Sequence, residues 1–101
     1  MAVMLYMKMP GASLETIEAV TEEMNVRNDP PPGLIIHGVV EIGGTITVVD
    51  MWESRADFDK FNETRLGPAF EKVATGQGID LSAAPQPSQE WVDVLDIVKG
   101  A

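Results

Sequence analysis

Two hydrophobic runs rich in β-branched residues, separated by a pair of glycines, constrain the fold of this chain more than any other feature. They extend over Leu34–Ile42 and Thr45–Trp52, on either side of Gly43 and Gly44. Glycine pairs supply the positive φ angles of tight hairpin turns, and β-branched residues favour strands. The sequence therefore predicts an antiparallel hairpin here.

The glycine pair also predicts the register of this hairpin. If the turn is centred between the two glycines, His37 lies opposite Asp50. Because side chains alternate across a sheet, one face is predicted to hold Ile35, His37, Val39, Glu41, Ile46, Val48, Asp50 and Trp52. The other face, which runs from Leu34 to Met51, contains no ionisable group.

The residues before the hairpin predict a strand, a helix and a stiff connector. The strand covers Ala2–Met9 and is closed by a proline and a glycine. Ser13 is a good N-cap for a helix from Leu14 to Arg27, in which hydrophobic residues recur at helical spacing. The connector is Asp29–Gly33, where three consecutive prolines disfavour both helix and ladder.

The residues after the hairpin predict a second helix that is interrupted by a proline. Ser54 resembles an N-cap, and a hydrophobic stripe continues to Leu66, with a kink or restart expected at Gly67 and Pro68. The remaining chain is predicted to form a short helical segment over Ala69–Val73, a surface loop over Gly76–Gln89 and a last strand over Trp91–Val98.

This order of elements, β-α-β-β-α-β, predicts an α+β fold of the ferredoxin-like type. Such a fold has a four-stranded antiparallel sheet with two helices on one face. Right-handed crossovers place the strands side by side in the order fourth, first, third, second. A length of 101 residues is typical of one domain, so residues 1–101 are predicted to form a single ferredoxin-like domain.

Composition and charge exclude several functional classes. The chain has no cysteine, which removes disulfide frameworks, thiol catalysis and iron–sulfur clusters. Sixteen acidic residues against seven basic ones give a net charge of -9, the wrong sign for binding nucleic acid or an anionic membrane. The apolar stretch Met1–Met9 is too short to span a membrane and lacks the preceding basic residues of a secretory signal. We therefore expect a cytoplasmic protein without a nucleic-acid or membrane partner.

Both faces of the predicted sheet are apolar, and two helices can cover only one of them. The first strand has Val3, Leu5, Met7 and Met9 on one side and Ala2, Met4, Tyr6 and Lys8 on the other. A second copy of the chain is the commonest cover for such a face. The sequence therefore predicts a homodimer in which sheet packs against sheet.

Three short segments resemble a known superfamily. They are Val48-Val49-Asp50-Met51-Trp52-Glu53-Ser54, the aromatic pair Phe58 and Phe61, and Arg65-Leu66-Gly67-Pro68-Ala69. The chain resembles the dimeric α+β barrel superfamily, especially small bacterial proteins related to the antibiotic-biosynthesis monooxygenases. This resemblance implies a ligand cavity between sheet and helices, and paired sheets that form a barrel across a dimer.

The resemblance spans several activities, and the sequence departs from some of them. The superfamily includes cofactor-free quinone-forming monooxygenases, heme-degrading enzymes, polyketide cyclases and isomerases. The heme-degrading branch uses a histidine of the second helix as the iron ligand, and residues 54–73 contain none. Related proteins often have a histidine in the last strand, whereas His37, the only histidine here, lies on the second strand. Neither a heme nor another cofactor is expected.

The predicted pair of His37 and Asp50 is the strongest candidate for catalysis. A carboxylate beside an imidazole fixes its tautomer and supports its use as a general base. The alternative is a structural hydrogen bond between neighbouring strands. Glu41 shares their face, but one histidine and an edge glutamate make a poor metal site, so no metal is expected.

Three further residues are candidates for binding a substrate. Trp52, Tyr6 and Asn62 combine flat rings with a few polar atoms, as sites for aromatic ligands do. For each of them the alternative is an ordinary structural role. The two arginines Arg55 and Arg65 are expected to face solvent as helix charges.

Taken together, the sequence predicts a small-molecule enzyme of the monooxygenase, cyclase or isomerase type. Its substrate would be an aromatic or polycyclic molecule, and its chemistry would need no metal. The alternative is a homodimer that binds a ligand, or has a structural role, without catalysis. A defined cavity that contains His37 would favour an enzyme or a ligand-binding protein over a structural one.

Overall fold

A computed structural model describes all residues, 1–101, and has the predicted α+β architecture. The elements are β1 (Val3–Lys8), α1 (Leu14–Met24), β2 (Leu34–Ile42), β3 (Thr45–Trp52), α2 (Arg55–Phe61), a π-helical segment (Asn62–Leu66), α3 (Gly67–Gly76) and β4 (Ser88–Asp93). The sheet order is β2-β3-β1-β4 and all neighbours are antiparallel, which confirms the predicted topology. None of the helices combines the length and apolar character needed to cross a membrane.

The register of the β2–β3 hairpin is the predicted one from the turn as far as Ile36, and His37 pairs with Asp50. Both turn glycines have positive φ angles, 57° at Gly43 and 81° at Gly44, as primed hairpin turns require. The prediction is wrong at the far end, where a β-bulge lets Leu34, rather than Ile35, pair with Trp52. The bulge inserts one extra residue, so Leu34 points to the helix-covered face.

Helix α1 starts where predicted and ends three residues early. The Ser13 hydroxyl accepts a hydrogen bond from the Thr16 backbone N–H at 3.1 Å, which caps the first turn. The helix ends at Met24 rather than Arg27 because Asn25 adopts the left-handed conformation, with φ of 56°. Asparagine tolerates this conformation better than other residues with side chains, and its N–H caps the last turn.

The second helical region does not break at Gly67 and Pro68 but passes through a π-helical segment. The Gly67 N–H bonds to the carbonyl oxygen of Asn62, five residues earlier. A proline in a helix lacks an N–H donor and crowds the carbonyl four residues before it, and the wider π turn relieves both problems. The helix then continues as α3 to Gly76, beyond the predicted short segment.

Strand β4 lies earlier in the chain than predicted. It covers Ser88–Asp93 rather than Trp91–Val98, and it pairs with the whole length of β1. β1 begins at Val3, so the residues after Asp93 have no strand of the sheet to pair with. One backbone hydrogen bond continues the pairing, from the Val94 N–H to the Ala2 carbonyl oxygen. The residues after Val94 have no regular secondary structure and are exposed, with 89% of Leu95 accessible to solvent.

The hydrophobic core lies between one face of the sheet and the helices. Trp52 is its largest buried side chain and packs edge-on against Phe58, with ring centroids 5.6 Å apart, and against Phe61 at 5.3 Å. Leu5 from β1 is fully buried beside them. Burial of this size anchors β3 against α2, because aromatic side chains contribute the largest apolar areas of a small core.

The opposite face of the sheet has no covering element. Ile36, Val40 and Ile42 of β2 and Val92 of β4 are between 42% and 60% exposed there. We call this surface the open face.

Candidate functional site

A cavity of about 50 Å³ lies between the helix-covered face of the sheet and the helices. Twelve of the fifteen residues that line it are hydrophobic. Its walls come from every layer of the fold: Met7 and Val48 from the sheet, Ile17 and Met24 from α1, and Phe70 from α3. Room for a few water molecules remains, since each occupies roughly 10–15 Å³ measured in this way.

His37 and Asp50 meet at this cavity. His37 Nδ1 lies 2.7 Å from Asp50 Oδ1, the distance of a strong charge-assisted hydrogen bond. The two residues are opposite each other in the β2–β3 ladder, so the register holds them together. The Asp50 side chain is 5% exposed and that of His37 is 30% exposed. The carboxylate therefore lies in the interior, and the imidazole lies where the cavity reaches the surface.

Trp52 binds the second oxygen of the same carboxylate. Its indole Nε1 donates to Asp50 Oδ2 at 3.2 Å, because residues two apart on a strand point to the same face. A nearly buried carboxylate needs donors to offset its lost hydration, and Asp50 obtains one for each oxygen. The predicted place of Trp52 at the cavity is thus seen in the structure, together with a hydrogen bond that the sequence did not indicate.

Among the polar side chains of the cavity wall, one nitrogen has no hydrogen-bond partner. The carboxylate oxygens of Asp50 are both engaged, and the Thr21 hydroxyl donates to the Ile17 carbonyl oxygen at 2.9 Å. His37 Nε2 has no hydrogen-bond partner in the protein. An ionised carboxylate only accepts hydrogen bonds, so a neutral His37 carries its proton on Nδ1 and presents the lone pair of Nε2.

Arg65 closes the wall beside α1, contrary to the expectation that it faces solvent. Its Nη2 donates to the carbonyl oxygens of Met24, at 2.6 Å, and Asp29, at 2.8 Å. These bonds tie the end of α1 and the segment after it to the π-helical turn, whose Leu66 lines the cavity. Sequence reasoning missed this role because the π turn determines where both residues point. The other arginine, Arg55, stacks on the ring of Trp91 at 5.0 Å.

Two of the predicted binding residues do not come to the cavity. Tyr6 pairs with Val49 and Glu90, and these residues belong to the open face. Asn62 is exposed at the end of α2. Sequence reasoning also missed wall residues, such as Leu34, which the bulge turns inward.

The acidic residues near the pair do not form a metal site. No group of three or more His, Asp or Glu side chains lies close enough together to hold a metal ion. Glu41 is exposed near the hairpin turn, away from the cavity lining. The chemistry available at the cavity is therefore that of an imidazole supported by a carboxylate in apolar surroundings.

Comparison with solved structures identifies the fold of this chain. The sequence matches no protein-family model and no curated protein. Among solved structures, a candidate antibiotic biosynthesis monooxygenase from Caulobacter crescentus has a TM-score of 0.65 at 14% identity, over 94% of this chain and 91% of its own. A protein of unknown function from Nitrosomonas europaea has a TM-score of 0.68 at 17% identity, over 99% of this chain and 95% of its own.

A third similar structure is that of an oxygenase. SnoaB, a cofactor-independent oxygenase from Streptomyces nogalater, has a TM-score of 0.59 at 13% identity, over 98% of this chain and 97% of its own. Identities this low establish the fold and leave the chemistry to the residues of each site. The chain has the ferredoxin-like α+β fold shared by structures related to the antibiotic biosynthesis monooxygenases.

Proposed function

We propose that the protein is an enzyme that removes a proton from a small aromatic or polycyclic substrate, with His37 as the general base. The observation that carries this proposal is the free Nε2 of His37 beside an apolar cavity, with Nδ1 held by Asp50 at 2.7 Å. In such a pair the carboxylate orients the imidazole and stabilises the imidazolium that forms. SnoaB, a cofactor-independent oxygenase, has a similar fold, so a reaction of this class has a precedent on this architecture.

The first step is the same for each reaction type that the sequence predicted. The substrate's C–H or O–H proton moves to Nε2, and the electron pair of that bond stays on the substrate. In a monooxygenase the carbanion then reduces O₂ and forms a C–O bond, and the hydroperoxide that results loses water, so that one oxygen atom remains on the substrate as a carbonyl. An isomerase returns the proton to a different atom, and a cyclase uses the carbanion as a nucleophile within the same molecule.

We also propose that the active form is a homodimer joined through the open face. Isolated exposed hydrophobic residues are normal, but a sheet face with several of them marks an interaction surface. The exposed residues of β2 and β4, of which Ile36 is 60% exposed, support this assembly. A second copy offers the same apolar surface, so a two-fold pairing buries both at once.

The test follows proton removal directly. Phenylacetone and 2-indanone are ketones of different size with one aromatic ring, and each carries an acidic C–H next to the carbonyl group. In deuterated buffer under argon, NMR measures how fast this proton exchanges, and an oxygen electrode follows a parallel aerobic sample. We expect the protein to accelerate exchange and His37→Gln to reduce the acceleration by about a hundredfold, the usual contribution of a general base.

A matched variant shows whether the effect belongs to the pair. Glu41→Gln removes a carboxylate from the same strand without touching Asp50, so exchange should be unchanged. Equal acceleration by wild type and His37→Gln would overturn the assignment of the base. If neither ketone exchanges faster than in buffer, the catalytic proposal fails and a ligand-binding dimer without catalysis becomes the better account.

A further inference from the structure

We infer that the cavity selects an apolar single-ring molecule with one hydroxyl group, a simple phenol, and that His37 Nε2 recognises this hydroxyl. The inference rests on the proposed function in that it concerns the same site. It narrows the ligand from aromatic or polycyclic molecules in general to a chemical class. It follows from the hydrogen bonds that the wall residues can make to a ligand and from the volume of the cavity.

The cavity wall presents one polar side-chain atom without a hydrogen-bond partner, His37 Nε2. Asp50 already accepts from His37 and Trp52, and Thr21 donates to a backbone carbonyl oxygen within α1. A second hydroxyl or a carboxylate placed deep in the cavity, away from the rim, would lose its hydration against apolar side chains and find only atoms that are already hydrogen-bonded. Leaving a polar group unpaired in such a place costs more than the hydrogen bond that it fails to make.

The size of the cavity sets the limit on the apolar part. A volume of about 50 Å³ is well below the roughly 300 Å³ at which sites for drug-sized ligands begin. Met7, Met9 and Met24 line it, and the flexible thioether side chains of methionine can move aside for one ring. Wider expansion is resisted on the α1 side, where Arg65 ties the end of the helix to the π turn.

The position of His37 sets the orientation of the ligand. Its side chain is 30% exposed while Asp50 is 5% exposed, so the imidazole stands where the cavity reaches the surface. A phenol with its ring inside and its hydroxyl toward this rim donates to Nε2 without burying an unpaired oxygen. The hydroxyl oxygen keeps contact with solvent for its remaining lone pairs.

Equilibrium binding of phenol and benzene tests the inference, because the two molecules differ by a single hydroxyl. Two-dimensional amide NMR measures both dissociation constants from the shifts of residues around the cavity. We expect phenol to bind about tenfold more tightly than benzene, the value of one net hydrogen bond. Hydroquinone and 4-hydroxybenzoate, which would place a second polar group at the inner end of the cavity, should both bind more weakly than phenol.

Variants assign the preference to one nitrogen. His37→Leu should reduce the ratio of phenol to benzene affinity to about one, while Thr21→Val, which removes a hydroxyl that is already bonded, should leave it unchanged. If His37→Leu does not fold around an unpaired Asp50, the double variant His37→Leu with Asp50→Asn contains no buried charge and gives the same comparison.

The outcomes separate this inference from the proposed function. Equal binding of phenol and benzene, tighter binding of hydroquinone than of phenol, or no binding of either ring would overturn the selectivity. Phenol selectivity that persists in His37→Leu would overturn the role of Nε2. No turnover is measured here, so proton removal from a ketone could still be found after the selectivity has failed. Equally, the selectivity could hold in a protein that catalyses nothing.

Discussion

Trp52 and Asp50, two residues apart on β3, are joined by a hydrogen bond of 3.2 Å from the indole Nε1 to Oδ2. Trp52 is therefore more than a core side chain, since it supplies one of the two donors that hold a nearly buried carboxylate. A second tryptophan provides an internal comparison. The Nε1 of Trp91 is buried and has no hydrogen-bond partner.

The two tryptophans give a prediction about stability. Trp52→Phe should lower the free energy of unfolding by about 1.5–3 kcal/mol more than the loss of ring volume alone, because a hydrogen bond to a charged group is lost. Trp91→Phe removes similar volume and no hydrogen bond, so its cost should be smaller. Urea unfolding of both variants measures the difference. Equal losses would show that the bond to Asp50 contributes nothing.

The tautomer of His37 gives a second prediction. In wild type the neutral ring should carry its proton on Nδ1, because Asp50 accepts there at 2.7 Å. Nitrogen-15 NMR of the imidazole distinguishes the two ring nitrogens. Asp50→Asn should shift the population toward the Nε2–H form, whereas Glu41→Gln should not change it. An Nε2–H ring in the wild type would contradict the arrangement from which the general base is argued.

The open face gives a prediction about assembly. Wild type should sediment as a dimer at micromolar concentration, and Val40→Asp should sediment as a monomer because the interface would bury an unpaired charge. Leu14→Asp is a matched control, since Leu14 is 51% exposed at the start of α1, away from this face. A monomeric wild type, or a dimer that survives Val40→Asp, would exclude pairing through the open face.

Gly33 gives a prediction about the connector. Its φ of 86° lies in the left-handed region, and a Cβ there would overlap the Asp57 carboxyl group. Gly33→Ala should cost about 2–4 kcal/mol from backbone strain and crowding together. Gly43→Ala has a positive φ with nothing near the new methyl group and should cost about 1 kcal/mol. Thermal or urea unfolding compares the two, and similar losses would show that Asp57 simply moves away.

Asp80 gives a prediction about pH. Its pKa is lowered mainly by the hydrogen bond from the Ser82 hydroxyl, and further by the Ser82 backbone N–H. A lowered folded-state pKa stabilises the protein above the unfolded-state pKa, and this contribution is lost as the pH falls through the folded-state value. Carbon-13 titration of the carboxyl group should show a higher pKa in Ser82→Ala, and Ser82→Thr should keep the wild-type value. No change in Ser82→Ala would contradict the assignment.

The sequence predicts a feature of this fold well where the interaction that determines it is local and has a single outcome. The Gly43-Gly44 turn determines the ladder next to it, so the facing of His37 and Asp50 follows from the residues alone. The short fourth strand depends on a distant partner, because β4 ends where β1, far away in sequence, begins. At the π turn the cause is local, but Pro68 predicts a disturbance without saying which one, because a break, a kink and a π turn can each accommodate a proline.

The candidate site likewise has one feature that the sequence predicts and others that it does not. The sequence predicts that His37 and Asp50 touch, because strand pairing brings them together. It cannot give the bond from Trp52, whose rotamer depends on packing against Phe58 and Phe61. The cavity itself is a volume left over when helices from opposite ends of the chain pack, so no local pattern predicts its size.

Two separate features determine the register of the hairpin, which are the glycine turn and the bulge at Ile35. The turn determines the pairing from the glycines up to Ile36, and the bulge accommodates one extra residue between Ile36 and Leu34. Removing that residue would leave a regular ladder with Leu34 still facing inward and the histidine unmoved. The register of the reactive pair therefore depends on the turn and not on the length of the proline connector.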